Sequence, residues 1–188
     1  MDPITQIYLE NVDYREFDKE AWLKKYNYTF NADKTLDIHS DNEVALSNRD
    51  FISLPFNFNK VEGPFSCSYN NLKTLKGCPK YVGGDFYCYT NRITSLEGGP
   101  EIVMGSYHCF NCDLTTLKGI AKHIGGHLYC YANNLESLDF LPDYLGGTLS
   151  SDFPPEYNQI ALQKIKDKKY IRTLSHDDEM PDVTDIFD

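Results

Sequence analysis

The segment GGDFYCYTNRITSLEGGP, residues 83–100, recurs along the chain at a fixed interval of 21 residues. The recurrences are FSCSYNNLKTLKGCP from Phe65, FYCYTNRITSLEGGP from Phe86, YHCFNCDLTTLKGIA from Tyr107 and LYCYANNLESLDFLP from Leu128. A degenerate copy, VALSNRDFISLP, starts at Val44, and a truncated one, LSSDF, at Leu149. No unit this short buries its own apolar face. Several copies must therefore stack, with the two open ends covered by something else. The repeat predicts an elongated solenoid.

In register, the first apolar position of each copy reads Val44, Phe65, Phe86, Tyr107, Leu128 and Leu149, and the second reads Leu46, Cys67, Cys88, Cys109, Cys130 and Ser151. This alternation predicts a short strand with one face buried, and parallel neighbours spaced about 4.8 Å apart. Three residues on come Asn70, Asn91, Cys112 and Asn133. Side chains of this type can turn inward and hydrogen-bond the backbone freed where a strand ends, forming a ladder. Leu72, Ile93, Leu114 and Leu135 follow, then Leu75, Leu96, Leu117 and Leu138. The glycine pairs at 83–84, 125–126 and 146–147 are expected in turns.

This frame, LxLxx(N/C)xLxxL, resembles the leucine-rich repeat, over about residues 40–150. Within that family it looks most like the leucine-rich-repeat proteins found in bacteriophage genomes, and more distantly like the short repeats of bacterial effector ligases. The resemblance implies an intracellular, host-directed protein. No ligase-like domain is expected beside the repeats.

The flanks read as caps. Asp18–Tyr26 is expected to form a short helix with Trp22, Leu23 and Tyr26 on one face, its acids leading and its lysines trailing as the helix dipole favours. Tyr28–Ile38 alternates around a polar turn, which predicts a hairpin. The chain thus divides into an N-terminal helix-and-hairpin cap (1–43), the solenoid (44–153), a C-terminal capping helix (154–174) and an acidic tail (175–188). The helix face is expected to run through Ala161, Leu162 and Ile165 towards Ile171 and Leu174. The tail is expected to be mobile, with Val183, Ile186 and Phe187 as a candidate docking motif flanked by acids. The fold class is α+β: a solenoid with a parallel sheet on one face and helical elements at its ends.

The repeat register decides what the cysteines are for. Zinc needs four ligands converging on one point. Cys67, Cys88, Cys109 and Cys130 instead form a line of about 14 Å, three strand spacings long. The expectation is no metal, with cysteine serving as a small core residue. Cys109 and Cys112 spell C-x-x-C, but both fall on buried repeat positions. Cys78, in a turn, is expected to be the most exposed thiol. No Ser/His/Asp grouping, phosphate-cradling glycine loop or HExxH motif is present. Neither catalysis nor a cofactor is expected.

If the cysteines face inward, their neighbours face out. That places Tyr87 and Tyr89, His108 and Phe110, and Tyr129 and Tyr131 on the outer sheet face, with His127 at its edge. Ser66 and Ser68 flank the stripe on one side, and Ser150 and Asp152 on the other. Exposed aromatic patches mark interaction surfaces, so the expected partner is a protein. Capture of a small stacking ligand such as a nucleotide or sugar, or homo-oligomerisation, are the other readings. The formal charge of −10 resides largely at the two ends of the chain, and a broad basic footprint is absent, which disfavours nucleic acid. The first residues lack a signal-peptide pattern and no apolar run approaches about 18 residues, so a cytoplasmic protein without a membrane span is expected.

Overall fold

The computed structural model describes the backbone of residues 17–175 and the side chains of 17–168. The chain is a β-solenoid of about five turns, in which each 21-residue turn contributes one strand to each of two parallel sheets. Sheet A holds β1 (Tyr28–Phe30), β2 (Leu36–Ile38), β4 (Phe58–Val61), β6 (Tyr81–Val82), β8 (Ile102–Val103), β10 (His123–Ile124) and β12 (Tyr144–Leu145), in that spatial order. Sheet B holds β3 (Val44–Ala45), β5 (Phe65–Ser66), β7 (Phe86–Tyr87), β9 (Tyr107–His108), β11 (Leu128–Tyr129) and β13 (Leu149–Ser150). All pairings are parallel except β1 with β2, the expected hairpin.

Sheet B is the sheet the repeat heads predict. Sheet A was not read from the sequence, because its strands are only two residues long from β6 onward, too short to show an alternation. The glycine pairs sit at the corner between the two sheets. A Cβ on Gly84 would lie 2.8 Å from the Pro64 backbone nitrogen one turn below, so consecutive turns approach too closely there for a side chain.

The third side of each turn carries no strand. It is held by the inward aliphatic residues Leu72, Leu75, Ile93, Leu96, Leu114 and Leu117, all fully buried. Phe65, Phe86 and Tyr107 stack up the centre, with ring centroids 6.0 and 4.8 Å apart. They share one continuous core with the sulfur column of Cys67, Cys88, Cys109 and Cys130.

Both ends are covered. Helix α1 (Lys19–Leu23) is capped by Asp18, whose Oδ1 accepts from the Ala21 amide at 2.9 Å. Asp and Asn side chains satisfy the free amides of a first helical turn in this way. Trp22 Nε1 donates to the Ala45 carbonyl at 3.1 Å, and the Tyr26 hydroxyl accepts from the Ala45 amide at 3.2 Å. Those bonds close the open edge of β3, which would otherwise invite further strand pairing. At the other end α2 (Pro155–Ser175) buries Ala161 and Ile165 against the last turn. Ile171 and Leu174, and the tail residues Val183, Ile186 and Phe187, lie outside the described side chains.

Candidate functional site

The outer face of sheet B carries two columns of rings. Tyr87, His108 and Tyr129 form one, with successive centroids 4.6 and 4.7 Å apart and planes 28° and 21° from parallel. Tyr89, Phe110 and Tyr131 form the other, at 4.4 and 4.9 Å and 10° and 6°. The spacing is the strand spacing: identical rotamers on in-register rungs leave adjacent rings no other distance. Tyr89, Phe110 and Tyr131 lie beyond the two-residue strands, but the ladder continues past them. The Thr90 amide donates to the Phe110 carbonyl at 3.2 Å and the Asn111 amide to the Tyr131 carbonyl at 3.1 Å.

Beneath the rings runs a polar ladder. Asn70 Nδ2 donates to the carbonyls of Leu46 (2.9 Å), Cys67 (2.9 Å) and Ser68 (3.1 Å), while its Oδ1 accepts from the amides of Arg49 and Phe51, each at 3.1 Å. Asn91 repeats this one rung on, donating to Cys67 and Cys88 and accepting from Leu72. Cys112 substitutes a thiol that donates to the Cys88 carbonyl at 3.5 Å. Asn133 resumes the pattern with Cys109, Cys130 and Tyr131. These bonds fix the turn after each rung, where Asn48, Tyr69, Thr90, Asn111 and Ala132 all take the left-handed conformation, with φ between 52° and 57°.

Three expectations need correction. Ser66, in register with Tyr87, and Ser68 are not exposed but buried, and Ser66 shares a hydroxyl contact with Ser47. The ring next to Tyr89 on that side is Tyr69, half exposed at 53% and edge-on to Tyr89 at 5.2 Å. It sits in the left-handed turn, where strand alternation does not predict a side chain's direction. Asp152 does not simply point to solvent: its carboxylate folds onto the turn and accepts from the amides of Ala132 (2.9 Å) and Asn133 (3.0 Å). Cys78, expected to be the exposed thiol, is buried, and burial, with the neighbouring Cys67 thiol second, pushes its pKa up.

The chemistry of the remaining thiols is muted by the same burial. It raises Cys88 and Cys109, takes Cys112 to about 11 and takes Cys130 to about 12. A thiol must ionise to act as nucleophile or ligand. All six cysteines are free and buried. Among the described residues no three His, Cys, Asp or Glu side chains group in a way that could hold a metal ion. No helix among them is long and apolar enough to cross a membrane.

The stripe presents ring edges and polar tips. Tyr87 donates its hydroxyl to Asp85 at 2.8 Å, and burial followed by that carboxylate raises its pKa to about 12. His108, sandwiched between Tyr87 and Tyr129, is held below the usual imidazole range by burial, with Asp85 opposing and His127 assisting. His127 lies exposed at the edge, its Nδ1 within 2.9 Å of Thr148 Oγ1. Between rungs the ring faces are already in contact, so a planar ligand finds a free face only where a column ends.

Stacking by itself does not single this face out. On sheet A, His123 and Tyr144 also stack at 4.6 Å, and Lys60 lies 5.8 Å over the Tyr81 ring. The difference is charge. The other faces interleave it, as in the Lys122–Glu101 (3.6 Å) and Lys118–Glu97 (3.0 Å) pairs. The six rungs of sheet B, residues 43–48 and every 21 residues on to 148–153, contain no Lys or Arg. Two surface depressions lie elsewhere: one of about 210 Å³ beside α2, lined by Leu138, Leu141 and Tyr157, and a wider one at the glycine turns near Gly98. Neither is lined by a stripe residue.

No protein-family model matches the chain, and neither curated proteins nor solved structures yield a match.

Proposed function

We propose that this protein is a non-enzymatic binding module that recognises a protein partner through the aromatic face of sheet B. The observation that carries the reading is the six-ring stripe of Tyr87, Tyr89, His108, Phe110, Tyr129 and Tyr131, set on a face without Lys or Arg while the neighbouring faces interleave charges. Tyrosine offers large contact area with few rotatable bonds, and interface centres are depleted of charge. Stacked rungs also hold the rings in place before any encounter, which lowers the ordering cost of binding. The likeness of the repeat to leucine-rich repeats of bacteriophage genomes supports a host protein inside the cell as the partner, inhibited or redirected by capture.

The test replaces Tyr87, Tyr89, Phe110 and Tyr131 together with Ser, verifies the fold by circular dichroism, and compares proteins retained from a bacterial lysate with those held by the wild type. A companion variant, Tyr89→Phe with Tyr131→Phe, keeps the stacks and removes two hydroxyl tips. Loss of specific partners in the serine variant supports the reading. Unchanged partners on a folded variant contradict it. Self-association through the same face would appear instead as a concentration-dependent mass in light scattering.

A further inference from the structure

The two ring columns stop abruptly at the last rung. Strand β11 pairs with β13 so that Tyr129 lies opposite Ser150, and the same register sets Tyr131 opposite Asp152. Each column therefore has one more site a strand spacing beyond its last ring, where the chain supplies a small or folded-down side chain in place of another ring. Tyr131 is accordingly 38% exposed. Its next-rung neighbour Asp152 has turned its carboxylate onto the Ala132 and Asn133 amides, which leaves the outer ring face open with a negative charge at its base. The rest of the sheet-B face has the same sign: Glu43 and Asp85 lie on its rungs and no Lys or Arg does.

A planar group carrying positive charge completes such a column. A guanidinium stacks on an aromatic face and donates to a carboxylate with the same plane, which an ammonium cannot do. Both remaining acceptor lone pairs of the Asp152 carboxylate suit it, since each oxygen uses only one bond on the backbone. A phosphate-bearing ligand finds carboxylates and no Lys or Arg on these rungs.

We infer that the partner recognised by sheet B presents a basic segment, with an arginine lying flat on the outer face of Tyr131 and paired with Asp152. The inference rests on the reading of sheet B as a protein-binding face, and names the chemistry of what is bound.

The test is selection from a random dodecapeptide library on the intact protein. Selection is repeated on Tyr131→Leu, Asp152→Asn and Ser150→Lys, and each enriched peptide is competed with N-acetyl-arginine amide or N-acetyl-lysine amide. Ser150→Lys places a cation at the end of the neighbouring Tyr129 column, beside the open site, and removes no side-chain bond, so it keeps the test valid if Asp152→Asn impairs folding. The expected result is enrichment of arginine-containing peptides, about tenfold weaker binding to each variant, and competition by the arginine amide above the lysine amide. Enriched peptides that lack basic residues but depend on Tyr89 and Phe110 would overturn the inference and leave the recognition face standing. Enrichment indifferent to every stripe substitution, or no enrichment, would count against both. Retention of a thymidine oligonucleotide in place of peptides would likewise overturn it.

Discussion

The rings of Tyr89 and Phe110 lie 4.4 Å apart with their planes 10° from parallel, although the two residues are 21 positions apart and neither belongs to a strand. Phe110 is stacked on its other side by Tyr131 at 4.9 Å. Its ring is thus the middle of a three-ring column, and stability and recognition draw on the same side chain. Phe110→Ala removes both stacks and is expected to lower unfolding stability by about 1–3 kcal/mol in urea titrations. A double-mutant cycle with Tyr89→Ala should return a coupling of about 0.5–1.5 kcal/mol. Additive effects would mean that the stack is geometric only.

Tyr107 occupies the core position held by Phe65, Phe86 and Leu128 in neighbouring copies, and its hydroxyl is buried without a hydrogen-bond partner. Burial raises its pKa well above the normal phenol value. Removing an unsatisfied buried hydroxyl while keeping the ring relieves a desolvation cost of about 1–3 kcal/mol. Tyr107→Phe should therefore raise the thermal midpoint. A lowered midpoint would show that the hydroxyl is satisfied in solution.

The turn that ends the third side takes positive φ in four successive copies: 94° at Gly77, 84° at Gly98, 88° at Gly119 and 59° at Phe140. Of these four, Phe140 alone carries a side chain, and its ring is 57% exposed. The left-handed region costs a non-glycine residue about 1–2 kcal/mol, partly offset by the chain entropy that glycine adds to the unfolded state. Phe140→Gly is expected to stabilise by about 1 kcal/mol, read as an upward shift in the thermal midpoint. Destabilisation would show that the exposed ring has a packing role.

His108 and His123 are both held below the usual imidazole range by burial. His108 faces Tyr87 and Tyr129, with Asp85 favouring its protonation and His127 opposing it. As pH falls through about 6.5 the unfolded chain takes up these protons first, so their stabilising contribution is present above that value and lost below it. Urea midpoints should fall between pH 7.5 and 5.5, and His108→Phe should flatten part of the slope. A midpoint that rises on acidification would contradict the assignment.

The sequence was most informative where a residue type answers to one constraint. The 21-residue spacing of Phe65, Phe86 and Tyr107 specifies in-register rungs, and the alternation around Cys88 places Tyr87 and Tyr89 on the opposite face. Asn70, Asn91 and Asn133 were legible for the same reason, since an amide after a strand has backbone groups to satisfy. Sheet A was not legible, because a two-residue strand such as Tyr81–Val82 carries no period. Tyr69 was missed because a left-handed residue escapes strand alternation. Cys78 was misread because its turn is covered by neighbouring copies, a contact that exists only once the turns are stacked. The face of each ring that remains free is likewise a property of the stack: no single copy reveals that Tyr131 is the end of a column.

The central claim, that recognition occurs on sheet B and not on the charged sheet A, is tested most directly by site-specific photocrosslinking. Benzoylphenylalanine is placed at Tyr131 in one preparation and at Lys122, the exposed residue that leads into β10 of sheet A, in another, and both are irradiated in cells that express the protein. The account predicts a discrete protein adduct from position 131, lost when Tyr89 and Phe110 are replaced by Ser on a folded chain, and none from position 122. Adducts from position 122 alone, or a position-131 adduct indifferent to those replacements, would contradict it.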